Sequence, residues 1–211
     1  MKKKIIIWGT SGQAKVVMDI LRFDKQCEVI GFLDDRVSLR PSTFYGRPVF
    51  GGKEQLGRIA KIGTRRVILA FGDCPARLKL THFLEENRFL LTGAIHPSAI
   101  IAKDAVVAPG AMISAGAIIN PGCIVGKSVI INTNSSVDHG CRVGDAAHIG
   151  PGVCLGGDVE VGEAAWVGIG VTVKDNIRIG AGAIIGAGSV VVKDIPARVL
   201  AYGVPAKVIK K

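Results

Sequence analysis

The chain has 211 residues, enough for one large or two modest domains, and its 48% hydrophobic content with only 5% aromatics does not suit an ordinary mixed core. Cys27, Cys74, Cys123, Cys141 and Cys154 are odd in number and lack C-x-x-C spacing, so they read as small core residues in a reducing compartment. The net charge of +10 sits mainly on residues 1–98, with 17 Lys and Arg against 9 Asp and Glu; without a recognition motif or aromatic stacking set, this fits anionic small ligands better than nucleic acid.

Met1-Lys-Lys-Lys precedes an apolar run, Ile5 to Trp8, that is too short for the core of a signal peptide. No stretch reaches the roughly eighteen apolar residues that span a bilayer, so a cytoplasmic protein without a membrane partner is expected.

Lys4 to Trp8 reads as a strand and Gly9-Thr10-Ser11-Gly12-Gln13-Ala14 as a glycine-rich turn, with Val16, Val17, Ile20 and Leu21 at helical spacing behind it. Strand, turn and helix in this order open a nucleotide-binding α/β unit, where backbone N–H groups at the helix start meet phosphate. A plain N-cap role for Ser11 is the competing reading. A second strand, Glu28 to Leu33, runs into Asp34-Asp35, about twenty residues beyond the turn; an acid there meets a ribose hydroxyl or ends a solvated strand. Lys53 to Lys61 reads as helix, Val67 to Phe71 as a strand closed by Gly72-Asp73, Pro75 to Asn87 as helix and Phe89 to Leu91 as a short strand. The outcome is a small Rossmann-like domain over residues 1–92. Its ligand crevice is expected at the strand C-terminal ends, among Gly9, Ser11, Gly12, Gln13, Asp34, Asp35, Gly72 and Asp73.

Over residues 93–198 the pattern changes. Every sixth residue from Ile101 to Val191 is aliphatic; a smaller residue generally sits two before it and Gly, Asn or Asp three after it, with Ser128, Ala146 and Ala164 as exceptions. A large aliphatic and a turn tolerant of positive φ every six residues describe a short strand and a tight corner, the hexapeptide signature of a parallel β-helix. Three hexads make one triangular coil, so residues 18 apart stack about 4.8 Å from one another along the axis. The tail, residues 199–211, is expected to pack on the last coil.

The residue before each inward aliphatic faces outward. It is Ile100, Val106, Met112, Ile118, Ile124 and Ile130 in the first two coils, an apolar stripe that the α/β domain or a second subunit must cover. Beyond Ser136 these positions turn polar, and two of the four histidines lie there, His139 and His148. His82 reads as structural and His96 as a turn residue. Nine residues is half a coil, which puts His139 and His148 on different sides of one prism; bringing both to one substrate calls for sites between subunits of a symmetric oligomer. An imidazole suits removal of a proton from an amine or hydroxyl attacking an acyl carbonyl, with Asp138 placed to orient it. A backbone N–H at Gly156 or Gly157 is the candidate oxyanion donor. Plain exposed corner residues are the alternative for both histidines.

The hexapeptide coils, Ser135-Ser-Val-Asp-His139, His148, Gly157 and the terminal Gly203-Val-Pro-Ala-Lys207 together resemble the sialic-acid O-acetyltransferase NeuD family, which includes bacterial nucleotide-amino-sugar N-acetyltransferases. The resemblance spans essentially the full chain and implies left-handed winding of the β-helix and homotrimers holding acetyl-CoA between prisms. It also implies His139 as general base, His148 as a second catalytic histidine near the acetyl group, and Gly157 as a backbone contact to the coenzyme. Gly9, Gly12, Asp34 and Asp35 match its nucleotide-sugar pocket. The last coils and tail, through Gly168, Gly186, Pro205 and Lys207, are expected to help hold the coenzyme. Gln13 stands where the family often has His, and Gly140 where some members follow the base with Glu, which leaves Asp138 as the adjacent acid.

The expected activity is transfer of acetyl from acetyl-CoA to the amine of a nucleotide-linked sugar, a UDP-linked 4-amino-4,6-dideoxy sugar first among the candidates. Acetylation of a sialic acid or other sugar hydroxyl is the alternative, and a non-enzymatic role in stabilising a partner a third. A zinc-dependent hydratase would need a third histidine ligand beside His139 and His148, so no metal is expected.

Overall fold

The computed structural model describes residues 2–36 and 42–210. Its first unit runs β1 (Lys3–Trp8), α1 (Gly12–Leu21), β2 (Cys27–Leu33), β3 (Ser42–Phe44), β4 (Arg47–Val49), α2 (Leu56–Lys61), β5 (Arg66–Leu69), α3 (Cys74–Glu86) and β6 (Leu90–Leu91). The strand order is β3-β4-β2-β1-β5-β6. All neighbours are parallel except β3 and β4, a hairpin absent from the expected elements, which borders β2. Ile5, Ile6, Ile7 and Trp8 are all buried because helices or the second unit cover both faces of β1, as an unalternated apolar run requires.

Two-residue strands then recur every six residues from Ala94–Ile95 to Val190–Val191 and form three parallel sheets around one core. Partners lie one coil apart: Met112 pairs with Ile130, Ile118 with Ser136, and Ile124 with Arg142. The inward aliphatics from Ile113 to Val191 are at most 3% exposed, whereas Ile101 and Val107 in the first coil are only partly covered. The tail extends one sheet, with Leu200–Gly203 paired to Ile184–Ile185 and Ala206–Lys210 folding back antiparallel on it.

The corners take positive φ without a gap from Gly110 to Gly188, and Ser128, Ala146 and Ala164 adopt it as well, at 52°, 53° and 51°. At the ends of the expected series, Asp104 and Asp194 are not among the positive-φ residues. Ser128, Ala146 and Ala164 stack on one edge of the prism, and α3 covers that edge. Ser128 and Ala146 are buried, and Arg77, itself fully buried, donates from Nε to the Ser128 carbonyl at 2.9 Å and from Nη2 to Ala146 at 2.7 Å and Ala147 at 3.2 Å. The Thr81 hydroxyl adds a 2.7 Å bond to that of Ser128. A small side chain with no exposed turn to solvate replaces Gly, Asn or Asp where a helix lies on the corner.

The apolar stripe divides between two fates. Ala94, Met112 and Ile130, on the sheet facing the α/β unit, are at most 2% exposed and pack with Ile5, Ile7, Val17 and Ile20. Ile100, Val106 and Ile124 belong to the other two sheets and remain 64%, 56% and 39% exposed.

Candidate active site

The crevice at the C-terminal end of β1 holds about 350 Å³ and brings together Gly9, Ser11, Asp34 and Asp35. Gly9 has φ +111°, and a side chain there would come within 2.7 Å of the Ala70 carbonyl, so the turn requires glycine. Ser11 starts α1 without capping it; its hydroxyl donates to the Ala70 carbonyl at 3.2 Å. Among the described residues no protein acceptor takes the N–H groups of Gly12 and Gln13, which leaves the positive end of α1 open to an anion. The Gln13 side-chain nitrogen is buried without a partner.

Asp34 is spent within the protein. It is 7% exposed and accepts from the Thr10 N–H at 3.1 Å, the Thr10 hydroxyl at 2.7 Å and the Arg36 guanidinium at 2.9 Å. Burial alone would raise its pKa, but the Arg36 and Thr10 bonds outweigh burial and hold it at about 2. Asp35 accepts from Trp8 Nε1 at 3.2 Å and the Lys53 N–H at 3.3 Å, and is the more accessible acid for a sugar hydroxyl. Gly72 and Asp73 do not line this cavity: Asp73 caps α3 through Ala76 N–H at 2.8 Å, and Gly72 lies beside His148. Arg36, Lys53 and Lys79 do line it and bring positive charge to where phosphates would lie. The glycine spacing of the turn could not point to them. Lys79 was traceable as one of Ala76, Lys79 and Leu80, a helical face of α3.

His148 faces outward from the sheet that carries the α/β unit and is 8% exposed. Asn132 Oδ1 accepts from the Thr133 N–H at 2.8 Å, which turns the amide nitrogen toward His148 Nε2 at 3.2 Å. Nε2 is thereby an acceptor and the ring proton sits on Nδ1, buried toward Gly72 without a well-formed hydrogen bond. The ring stacks on Trp166, with centroids 6.0 Å apart. Burial first, then the positive charge of Arg77, push its pKa down to about 4 against a weaker opposing effect of the Gly72 backbone. It is a neutral ring at pH 7.

His139 stands on the corner opposite that sheet, with its side chain 64% exposed. Its ring lies directly over Gly157, where a Cβ would come within 2.5 Å of Cε1. Asp138 is otherwise engaged: Oδ1 takes Asn120 Nδ2 at 2.9 Å and the His139 backbone N–H at 2.8 Å. The carboxylate facing the imidazole is that of Asp158, with Oδ2 4.0 Å from Nδ1. Counting 18 from Gly140 reaches Asp158, so the stacking rule contained this neighbour, but its turn position concealed it. The expected oxyanion donors are committed as well: Gly156 N–H donates to Val173 at 2.9 Å and Gly157 N–H to Asp175 Oδ1 at 3.0 Å. Neither is free for an oxyanion or a coenzyme, because the coil-to-coil ladder consumes them.

Residues 4–84 match the family model of the PglD N-terminal domain, and residues 158–193 that of the bacterial transferase hexapeptide, six repeats. Comparison with the curated proteins found no match. Among solved structures, a histidine-to-alanine mutant of GDP-perosamine N-acetyltransferase from Caulobacter crescentus, in complex with CoA and GDP-perosamine, is 39% identical; the match covers 99% of this chain and 97% of that one with a TM-score of 0.92. The acetyltransferase domain of PglB from Neisseria gonorrhoeae FA1090, in complex with acetyl coenzyme A, is 31% identical over 99% of this chain and 100% of that one, with a TM-score of 0.91. The chain belongs to the nucleotide-sugar N-acetyltransferase family. It thus has the family's left-handed parallel β-helix behind a PglD-type domain.

The residues expected to hold the coenzyme lie on the last coils and the tail of this N-acetyltransferase family member. Gly168 and Gly186 donate their N–H groups to Ile185 and Ala201, both at 2.9 Å, and their lack of a side chain is explained by close stacking on Ile185 and on Tyr202. Pro205, after a cis bond, and Lys207 are exposed on the terminal hairpin. The same sheet exposes Trp166, Ile184 and Tyr202 at 47%, 44% and 47%, an apolar strip below His148. Among the described residues no three His, Cys, Asp or Glu side chains gather to hold a metal, and no helix is long and apolar enough to cross a membrane.

Proposed function

We propose that this chain transfers acetyl from acetyl-CoA to the amine of a nucleotide-linked 4-amino sugar, with His139 as general base. The supporting observation is the full-length match to an N-acetyltransferase that binds CoA and GDP-perosamine. The GDP-perosamine bound to that enzyme makes a guanine nucleotide a candidate beside the uridine nucleotide expected from the sequence. The nucleotide occupies the crevice of Asp35, Arg36, Lys53 and Lys79, its phosphates toward the start of α1. The coenzyme lies along Trp166, Ile184 and Tyr202, with Lys207 available to its phosphates.

In the reaction the amine nitrogen attacks the thioester carbonyl and one N–H proton passes to His139 Nε2. The tetrahedral adduct then expels coenzyme A thiolate, which leaves with that proton as thiol. His139 points away from the crevice of its own chain, so the working site takes His139 from one subunit and the crevice and coenzyme strip from another, in a homotrimer. The exposed Ile100, Val106 and Ile124 support such contacts. A coenzyme A thioester and five free cysteines suit the cytoplasm.

The test is coenzyme A release with acetyl-CoA across GDP-, UDP- and dTDP-linked 4-amino sugars and free sialic acid. Turnover with an amine that His139→Ala abolishes is expected; turnover with the alcohol alone overturns the reading. Mixing inactive His139→Ala subunits with subunits disabled at Lys79 and Arg36 should restore part of the activity. No restoration, with mixed assemblies formed, places each site within one chain.

A further inference from the structure

We infer that Asp158, delivered from the coil below, is the positioning carboxylate for His139, in the place of the adjacent Asp138. The inference rests on the reading of His139 as the general base and adds the residue that sets its tautomer.

Four observations converge. Of the two acids beside the ring, Asp138 directs Oδ1 to Asn120 and to a backbone N–H, while Asp158 Oδ2 faces Nδ1 at 4.0 Å. That distance is too long for a hydrogen bond in the absence of substrates, and such contacts tighten when a site fills. Second, position 140 is kept empty for this carboxylate, since a Cβ on Gly140 would collide with Asp158 Oδ1. Third, Asp158 is anchored by its own N–H, which donates to the His139 carbonyl at 2.8 Å, so base and carboxylate move as one corner. Fourth, Gly157 gives the ring its seat, which fixes the edge presented to Asp158.

With Asp158 accepting from Nδ1–H, Nε2 carries the lone pair and is the nitrogen that takes the amine proton. Asp158 keeps its charge throughout; it holds the ring and stabilises the imidazolium, and the proton remains on the ring until the coenzyme sulfur takes it. A glutamate after the base would perform this task from within the same coil, and here the next coil performs it.

The corner supplies a clean test. Gly122, Gly140, Asp158 and Asn176 stack there, all at positive φ, so Gly and Asn are native residues of this position and Asp158→Gly retains the turn. In full-length enzyme, Asp158→Gly should lower kcat about 10²-fold with both KM values within about twofold, and Asp158→Glu should recover part of the loss. Asp138→Asn keeps an Oδ1 acceptor for Asn120 and the His139 N–H and should lower kcat less than Asp158→Gly does. Nitrogen-15 spectra of the neutral His139 ring, recorded with coenzyme A and a GDP-linked 4-amino sugar bound, a pair that cannot react, should show Nδ1–H in the wild type and Nε2–H in Asp158→Gly. Wild-type kcat in Asp158→Gly, or an unchanged tautomer, overturns the inference. Because the tautomer is read without turnover, it judges Asp158 even if His139→Ala shows that the base lies elsewhere.

Discussion

Arg77 Nη2 and the Ala146 carbonyl form a 2.7 Å bond that ties α3 to a prism edge made of residues at positive φ. The same guanidinium also reaches Phe71, Ser128, Ala147 and the Cys74 sulfur, so one side chain satisfies carbonyls of both units. Burial pulls its pKa down, yet guanidinium starts so far above neutrality that it stays charged. Arg77→Met fills the space and takes the donor from the Ser128, Ala146 and Phe71 carbonyls, while Ala147 still accepts from the Ile130 N–H at 3.0 Å; each stranded carbonyl costs roughly 1–3 kcal/mol, not additively. A loss of about 3 kcal/mol or more is expected, visible as a drop in Tm of roughly 6–12 °C. Arg77→Lys should recover only part, since one ammonium cannot span the set. A Met variant melting with the wild type would show that the domains are held by apolar contact alone.

The pH dependence of stability should show two separate windows. His148 has its folded pKa depressed to about 4 from 6.5, so the unfolded chain takes the proton first as pH falls. Stability is full above about pH 6.5 and declines toward pH 4, by roughly 3 kcal/mol for a pKa drawn from 6.5 to about 4. Asp34 acts lower: with its folded pKa depressed from 3.8 to about 2, its contribution is present above 3.8 and lost between there and 2. Urea midpoints at pH 7.5, 5 and 3 separate the two. His148→Gln should flatten the upper window and leave the lower one; an unaltered slope between pH 6.5 and 4.5 would assign the upper window to other groups.

Asp34 also carries a functional prediction. Its carboxylate ties Thr10 in the glycine-rich turn to Arg36 at the rim of the crevice. Asp34→Ala frees both, so KM for the nucleotide sugar should rise about tenfold, close to the cost of one charged hydrogen-bond set, while KM for acetyl-CoA stays put. A matching rise in both constants would mean that the substitution loosens the fold generally.

The prism was legible because a period of six leaves every inward position aliphatic from Ile101 to Val191, and the strand, turn and helix order of the first unit was equally plain. The β3–β4 hairpin was not, since three-residue strands carry too little periodicity. At the site, His139 stood out by type and register. The roles of its neighbours did not, because they depend on which hydrogen bonds are already taken. Gly156, Gly157 and Asp138 look available in one dimension, and the ladder between coils uses their polar atoms. Asp158 looks like one more corner and turns out to face the ring. Ser128 and Ala146 departed from the corner pattern because a helix covers them, which only the packing reveals.

Gly157→Ala separates seating of the base from stability of the coil. Gly157 is not among the positive-φ residues, so alanine suits its backbone, and the atoms its Cβ would strike are Cε1 and Nε2 of His139, at 2.5 and 2.7 Å. His139 is exposed enough to swing away, so the coil should hold, with Tm unchanged or raised slightly by the reduced freedom of the unfolded chain. Catalysis should not hold. A general base displaced by about 1 Å costs on the order of 10² in rate, so kcat should fall by about that factor while acetyl-CoA still raises Tm. Full activity in Gly157→Ala would mean that the ring does not work from its seat on this corner, and a large fall in Tm would mean that the glycine serves the coil first.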